Sequence, residues 1–255
     1  MDFYFDKTIA KNYKSNAQKV RVMSEHWVEH NIFCPCCGNP HITGLDNNKP
    51  VADFQCDNCG EIYELKSKKG KTGKKVAGGA YAAMIERIES IDNPHLLILN
   101  YSADLQVTNL LVIPKFFFIT DIIEKRPPLA STARRAGWIG CNILFSDIPE
   151  QGKIKIIDNQ SVSDVGNVVG EYGRIKQLQT NNLDSRGWLF DVLNCINSIP
   201  GMEFCLADVY RFTEYLQQKH IENHNIEAKI RQQLQLLRDK GFVEFLGKGC
   251  YRKIK

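Results

Sequence analysis

Apolar residues fall on one side of a helical repeat in residues 17–28, at Val20, Met23, Trp27 and Val28, and this spacing predicts a helix. The pattern then shortens. Residues 51–54 and 61–65 read as strands, and 96–101 and 107–113 as stronger ones with polar turn residues between them. Residues 79–91 return to helical spacing, with Met84, Ile85 and Ile88 on one side. Residues 126–140 read as a loop or short helix that is Pro-rich at its start and basic at Arg134-Arg135, and 154–157 as one more strand. The stretch 162–182 is polar and weakly periodic, and no internal repeat is present.

Beyond it the pattern is helical. Residues 185–199 carry Trp188, Leu189, Val192, Leu193 and Ile196 after an expected N-cap at Asp184 or Ser185, and Pro200-Gly201 stops the helix. A second helix is expected over 206–219, with Val209, Tyr210, Phe212 and Leu216. A third, capped by Asn225, runs over 226–240 with Ile230, Leu234 and Leu237 buried, and Gly241 ends it. Strands at 243–246 and 250–254 flank Gly247-Lys248-Gly249. Three helices and a glycine-turned hairpin form the winged helix-turn-helix plan. The expected division is therefore residues 1–180 and 181–255.

The chain has 255 residues, 43% hydrophobic and 24% charged, which is ordinary for a globular protein. No apolar run approaches the ~20 residues needed to cross a bilayer; the longest, 96–99 and 110–113, are strand-sized. The first residues lack the basic region and apolar core of a secretion signal, so a cytoplasmic location without membrane contact is expected. Net charge is only +4, but its distribution is informative: residues 66–75 hold six lysines and no acid, and 226–255 hold eight Lys or Arg against three acids. Either run alone reads as solvated surface. Two of them beside the motifs below suit a polyanion touched at two places.

Nine cysteines, an odd count, argue against a disulfide framework in a reducing compartment. Cys141, Cys195, Cys205 and Cys250 lie among apolar neighbours and read as small buried hydrophobes. The other five fall between Cys34 and Cys59. Cys34-Pro35-Cys36-Cys37 and Cys56-Asp57-Asn58-Cys59 contain two C-x-x-C pairs separated by eighteen residues, and four thiolates are the soft tetrahedral set that Zn²⁺ prefers. Iron in the same geometry is the rival. The spacing favours Cys34, Cys37, Cys56 and Cys59 as ligands and leaves Cys36 over. A closed four-cysteine shell has no open position for substrate, so the zinc is expected to be structural.

Between and after these cysteines stand Pro50-Val51-Ala52-Asp53 and Glu64-Leu65-Lys66. Glu64 and Lys66 are two apart on an expected strand and share a face, whereas Leu65 points away and is expected to enter the core. A neighbouring strand with Asp53 places a second carboxylate beside Glu64, and hard oxygen ligands of this kind hold Mg²⁺. The expected magnesium set is Asp53, Glu64 and Leu65, and the catalytic set Asp53, Glu64 and Lys66, with Lys66 orienting water or stabilising phosphate charge. The bland reading of D…E-x-K is a surface strand pair with salt bridges. The cysteine knuckle inside it favours chemistry, because the metal pins the hairpin that carries the three groups.

Lys68 and Lys69 are placed to meet phosphates near the cut. The last helix of a helix-turn-helix enters the major groove, and here its exposed positions include Lys229, Arg231, Gln232 and Gln235, types that bond base edges. Lys248 in the wing suits backbone contact. Arg134, Arg135 and Trp138, between glycines, suit a base-edge or methyl contact, although a core Trp with two surface arginines fits the residue types equally. A winged helix that binds protein is the bland reading of the last segment.

Taken together, Cys34-Pro35-Cys36-Cys37-Gly38, Lys49-Pro50-Val51-Ala52-Asp53-Phe54, Glu64-Leu65-Lys66-Ser67-Lys68-Lys69-Gly70, Thr132-Ala133-Arg134-Arg135-Ala136-Gly137-Trp138-Ile139-Gly140-Cys141-Asn142, Ser185-Arg186-Gly187-Trp188 and Lys229-Ile230-Arg231-Gln232-Gln233-Leu234-Gln235 resemble the DpnI-like methyl-directed type II restriction endonucleases over nearly the whole chain. The resemblance implies an α/β (α+β) fold. It comprises a PD-(D/E)xK mixed sheet flanked by helices with an embedded zinc site, then a winged helix. It implies Mg²⁺-dependent cleavage of double-stranded DNA at G-A-T-C carrying methylated adenine, by a monomer in solution. It assigns Asp53, Glu64 and Lys66 to catalysis and Cys34, Cys37, Cys56 and Cys59 to zinc. Cys36 departs from the pattern, and 162–182 matches least. A non-cleaving reader of methylated DNA and a repair endonuclease are the alternatives.

Overall fold

A computed structural model describes residues 1–45, 52–90, 93–180 and 182–254. Pro50 and Val51 of the expected P-x-x-D strand lie outside the described residues. The chain divides into two compact units. One comprises Met1–Ser146 with Gln151–Lys176, the other Asp147–Glu150 with Gln177–Lys255. Among the described residues no helix is long and apolar enough to cross a membrane.

In the first unit, helix α1 (Asn16–Asn31) buries Met23, Trp27 and Val28, the stripe its sequence predicts. Strands β1 (Thr43–Gly44), β2 (Phe54–Gln55) and β3 (Ile62–Lys69) follow, then β4 (Lys75–Ala80), α2 (Tyr81–Ser90), β5 (His95–Tyr101), β6 (Val107–Ile113), β7 (Ile123–Lys125), β8 (Gly140–Leu144), β9 (Ile154–Asp158), β10 (Ser161–Val162) and α3 (Val165–Lys176). The main sheet has the order β1-β2-β3-β5-β6-β9-β10, and β4-β8-β7 form a second sheet. Strands β3 and β5 run parallel, and the other pairs in the main sheet are antiparallel, so the sheet is mixed. All seven residues of β5 are buried, which explains its continuous apolar run in place of alternation.

Three expectations for this unit are corrected. The helix expected over 79–91 starts at Tyr81, because Gly79 and Ala80 end β4 at a bulge against β8. A side chain at Gly78 would come within 2.5 Å of the Cys141 Sγ, so the close approach of these strands requires glycine. The polar stretch after residue 162 contains α3, which buries only Val168, Tyr172 and Ile175 and so shows little periodicity. Asp53 lies just before β2 and not within a strand.

The second unit contains α4 (Leu183–Ser198), β11 (Glu203–Cys205), α5 (Leu206–Tyr210), α6 (Thr213–Lys219), α7 (Ile226–Asp239), β12 (Val243–Gly247) and β13 (Cys250–Lys253), with a sheet in the order β11-β13-β12. The winged plan holds, with corrections. The side chain that caps α4 is Asn182, which accepts the Ser185 N–H at 2.8 Å, in place of Asp184 or Ser185. The helix expected over 206–219 is broken at Arg211–Phe212 into α5 and α6. Cys205 and Cys250 face each other in the β11–β13 register and form a disulfide, whereas Cys141 and Cys195 are buried thiols as expected. The pairing arises from register between strands 45 residues apart, which composition does not reveal.

Asp191 of α4 is buried and accepts from the His220 Nε2 at 2.9 Å and from the Lys219 ammonium. The His220 ring stacks on Trp188 with centroids 3.7 Å apart. Burial of Lys219 works against its charge, but the hydrogen bond and charge of Asp191 outweigh it and its pKa is raised. That stabilisation is therefore full below the ordinary lysine value of ~10.4 and fades only as pH rises through the raised one. Asp191→Ala leaves the Lys219 charge without its partner and is expected to cost this unit about 3–5 kcal/mol. Thermal unfolding measures it, and a loss below about 1 kcal/mol would show that the network is stabilised from elsewhere.

Candidate active site and metal centre

Strand β3 carries the central residues. Its alternation sets Tyr63 into the interior and projects Glu64 and Lys66 from the opposite face, where the Lys66 ammonium pairs with the Glu64 carboxylate. Asp53 is fixed to the same strand twice. Its N–H donates to the Tyr63 carbonyl at 2.8 Å, and its Oδ2 accepts the Leu65 N–H at 2.6 Å. The structure thus brings Asp53, Glu64 and Lys66 together on one hairpin. Burial raises the pKa of Asp53, and neighbouring Glu64 adds to the rise. The Leu65 N–H, Lys66 and Arg21 oppose it. A carboxylate whose charge is penalised in this way is relieved by a cation.

Leu65 is half-buried and lines an open cleft of about 390 Å³ with Val20, Lys66 and Tyr101, a correction to its expected place in the core. A second cleft of about 340 Å³ has Asp53 and Phe54 on its wall. Arg21 and Glu25 of α1 line both clefts and form an ion pair at 2.6 Å. Burial raises the pKa of Glu25, against the pull of Arg21, and the Asp53 charge reaches both residues. Sequence reasoning missed this pair. Its only signal is the i,i+4 spacing within α1, which every amphipathic helix offers.

The four cysteines assemble as their spacing predicts. The Sγ atoms of Cys34, Cys37, Cys56 and Cys59 all lie within 4.8 Å of one another, with Cys34–Cys59 at 3.6 Å and Cys37–Cys56 at 3.7 Å. A tetrahedron with ~2.3 Å metal–sulfur bonds has edges of roughly 3.8 Å, so the donor set and its size fit zinc. Each knuckle closes with a bond from the following glycine, Gly38 N–H to the Cys34 carbonyl at 2.8 Å and Gly60 N–H to the Cys56 carbonyl at 2.9 Å. Both glycines have left-handed backbone, φ +76 and +73.

Cys36 stands outside this set. Its Sγ is 3.2 Å from the Tyr63 hydroxyl and 3.6 Å from the His95 Nε2. The His95 Nδ1 accepts the Lys115 N–H at 3.1 Å, which leaves the proton on Nε2, 3.1 Å from the Glu61 Oε2. Burial lowers the pKa of His95 and keeps it neutral, so Glu61 receives a hydrogen bond from His95 and a charge from Lys115 at 2.7 Å. Both hold the Glu61 carboxyl down at about 2.

Lys68 and Lys69 end β3 exposed. Arg134 and Arg135 are exposed, and Trp138 is half-buried with the Arg126 and Arg135 guanidinium groups 5.6 and 4.9 Å from its ring centre. On α7, Ile230, Leu234 and Leu237 are buried while Arg231, Gln232 and Gln235 face solvent. Arg231 donates to the Tyr210 hydroxyl at 2.5 Å. Lys229 is half-buried, its ammonium 5.7 Å from the ring centre of buried Trp188, and is less free than its neighbours. Lys248 is exposed in the turn between β12 and β13.

A mixed α+β unit with a four-cysteine cluster and an acidic-basic hairpin stands in one chain with a helix-turn-helix unit, an arrangement suited to a DNA partner. The comparison with known families makes this particular. The family model DpnI, described as the Dam-replacing family, matches residues 1–181, and its C-terminal counterpart, described as the Dam-replacing HTH domain, matches residues 184–253. The chain belongs to the Dam-replacing family, a membership that supports a methyl-directed restriction endonuclease.

Proposed function

We propose that this chain is a type II restriction endonuclease that hydrolyses double-stranded DNA at G-A-T-C sites containing methylated adenine. Residues 1–180 form the nuclease and 181–255 the DNA-binding domain, in a cytoplasmic monomer. The observation that carries the reading is the locking of Asp53, Glu64 and Lys66 onto one strand in a chain of this family. Asp53 and Glu64 with their carboxylates, and Leu65 with its backbone carbonyl, are the residues that would hold Mg²⁺. Bound there, the ion supplies Lewis acidity and an activated water for in-line attack on phosphorus. Glu64 holds the Lys66 ammonium at the site, where it orients the nucleophile and offsets charge on the phosphate. Lys68 and Lys69 extend the positive edge along β3.

The closed cysteine shell leaves zinc a structural role. Arg231, Gln232 and Gln235 of α7 are presented for base edges, and Lys248 for the phosphate backbone. Trp138 with Arg134 and Arg135 supplies a second contact, from the nuclease unit. A methyl group packed against an apolar surface is worth only ~1 kcal/mol, so reading the site with both units compounds a modest preference.

Digestion of one plasmid prepared with and without adenine methylation at G-A-T-C, in Mg²⁺ and in EDTA, tests the proposal. Cutting of the methylated form alone, abolished by EDTA, is the expected result. Cutting of both forms removes the methyl requirement. Binding without cutting identifies a reader, and cutting that requires a lesion identifies a repair enzyme.

A further inference from the structure

We infer that Tyr63 is a positioning residue, a strut through which the cysteine cluster fixes both catalytic carboxylates; the inference rests on the proposed nuclease site. Tyr63 is completely buried, with its hydroxyl 3.0 Å from the Cys34 Sγ and 3.2 Å from the Cys36 Sγ. Its carbonyl accepts the Asp53 N–H at 2.8 Å, and the next residue in the chain is Glu64. It faces Phe54 across β2 and His95 across β5. One residue thus touches the metal-ligating sulfur, anchors the backbone of Asp53 and sets the origin of the strand that presents Glu64 and Lys66.

The donor inventory orients the hydroxyl toward sulfur. With zinc bound, Cys34 is a thiolate and can only accept, so the Tyr63 hydroxyl donates to it. The Cys36 Sγ, which is outside the metal shell, is a second acceptor within reach of the same hydroxyl, at 3.2 Å. The hydroxyl thus sits between a ligating sulfur and the fifth cysteine and holds Tyr63 against the cluster. It also explains why a tyrosine occupies this buried position where phenylalanine would otherwise fill the same volume. Groups that bond to a ligating atom orient it, and their loss typically costs ~10–100-fold in metal affinity or activity.

The test uses the full chain with Co²⁺ in place of zinc, in the unmodified protein and in Tyr63→Phe. Losing a donor to the Cys34 thiolate is expected to shift the sulfur-to-cobalt charge-transfer band to longer wavelength. Loss of the strut is expected to speed amide exchange at Asp53 and Leu65 at least ~10-fold. Metal stoichiometry verifies that the variant is folded. An unshifted band, or a shifted band with unchanged exchange at Asp53 and Leu65, overturns the inference. Cys36→Ala is expected to keep a full complement of metal and an unshifted band; loss of metal in that variant would make Cys36 a ligand and overturn the inference. Neither readout involves DNA cleavage, so an unmodified protein that fails to cut methylated DNA would defeat the proposed function and leave both measurements decisive for Tyr63.

Discussion

Asp53→Asn is expected to lower DNA cleavage by roughly three orders of magnitude while leaving the hairpin intact. The carboxylate contributes charge to an ion that supplies several kcal/mol of transition-state stabilisation, and each ~1.4 kcal/mol is a decade in rate. Asparagine is nearly isosteric and its amide oxygen still accepts the Leu65 N–H, so the bond that ties Asp53 to β3 survives. The effect on stability is expected to run the other way. Burial raises the Asp53 pKa in the folded chain, so the ionised carboxylate costs stability as pH rises above its unfolded value. A neutral amide removes that cost, and the variant should melt no lower than the unmodified protein at neutral pH. Single-turnover cleavage and thermal unfolding of the same preparation check both parts. Retained cleavage would remove Asp53 from the site, and a large drop in melting temperature would show that its role is structural.

The grouping of Asp53, Glu64 and Lys66, the proposed catalytic trio, was legible in sequence because a strand has a period of two. Glu64 and Lys66 must share a face, and the intervening cysteine knuckle tells which earlier carboxylate folds back beside them. Asp53 nevertheless stands outside a strand and is held by backbone bonds to Tyr63 and Leu65, a geometry that residue types do not encode. The four-cysteine cluster was legible for a similar reason: two C-x-x-C pairs close on themselves locally and need only one tertiary contact to meet. Arg21 and Glu25 were not legible, since their relevance depends on how α1 lies against β3 and the Asp53 segment.

The same distinction separates the elements. Strands β5 and β6 emerged where expected because their apolar runs are long and bounded by turn residues. Helix α3 was missed because it presents only three buried side chains, and β4 because its small residues Ala77, Gly78 and Gly79 carry no strand signal of their own. The close approach of Cys141 is what selects Gly78, and it is a property of the second sheet as a whole. In the second unit, the Cys205–Cys250 disulfide follows from strand register, while the break between α5 and α6 escapes an apolar pattern that runs through it unchanged.

Cys56→Ser is expected to unfold the first unit and abolish cleavage, while the second unit keeps its own unfolding transition. The described chain between Cys34 and Tyr63 contains only two strands of two residues each, so little regular structure supports it without the metal. A structural zinc contributes on the order of 10 kcal/mol or more, comparable to the ~5–15 kcal/mol total stability of a domain. The loss falls on the proposed active site because Cys56 N–H bonds to the Glu61 carbonyl, at the start of β3, and Phe54 and Gln55 pair directly with Tyr63 and Ile62. Breaking the knuckle therefore frees the strand that carries Glu64 and Lys66 from the segment that carries Asp53. Serine preserves size but is a poor ligand for a metal that favours thiolate, which separates coordination from packing. Metal content, circular dichroism on heating and cleavage of methylated plasmid measure the three consequences. A Cys56→Ser protein that retained full zinc and an unchanged first transition would show that the cluster is not closed by this cysteine. The hairpin would then owe its order to β3 and β5 alone.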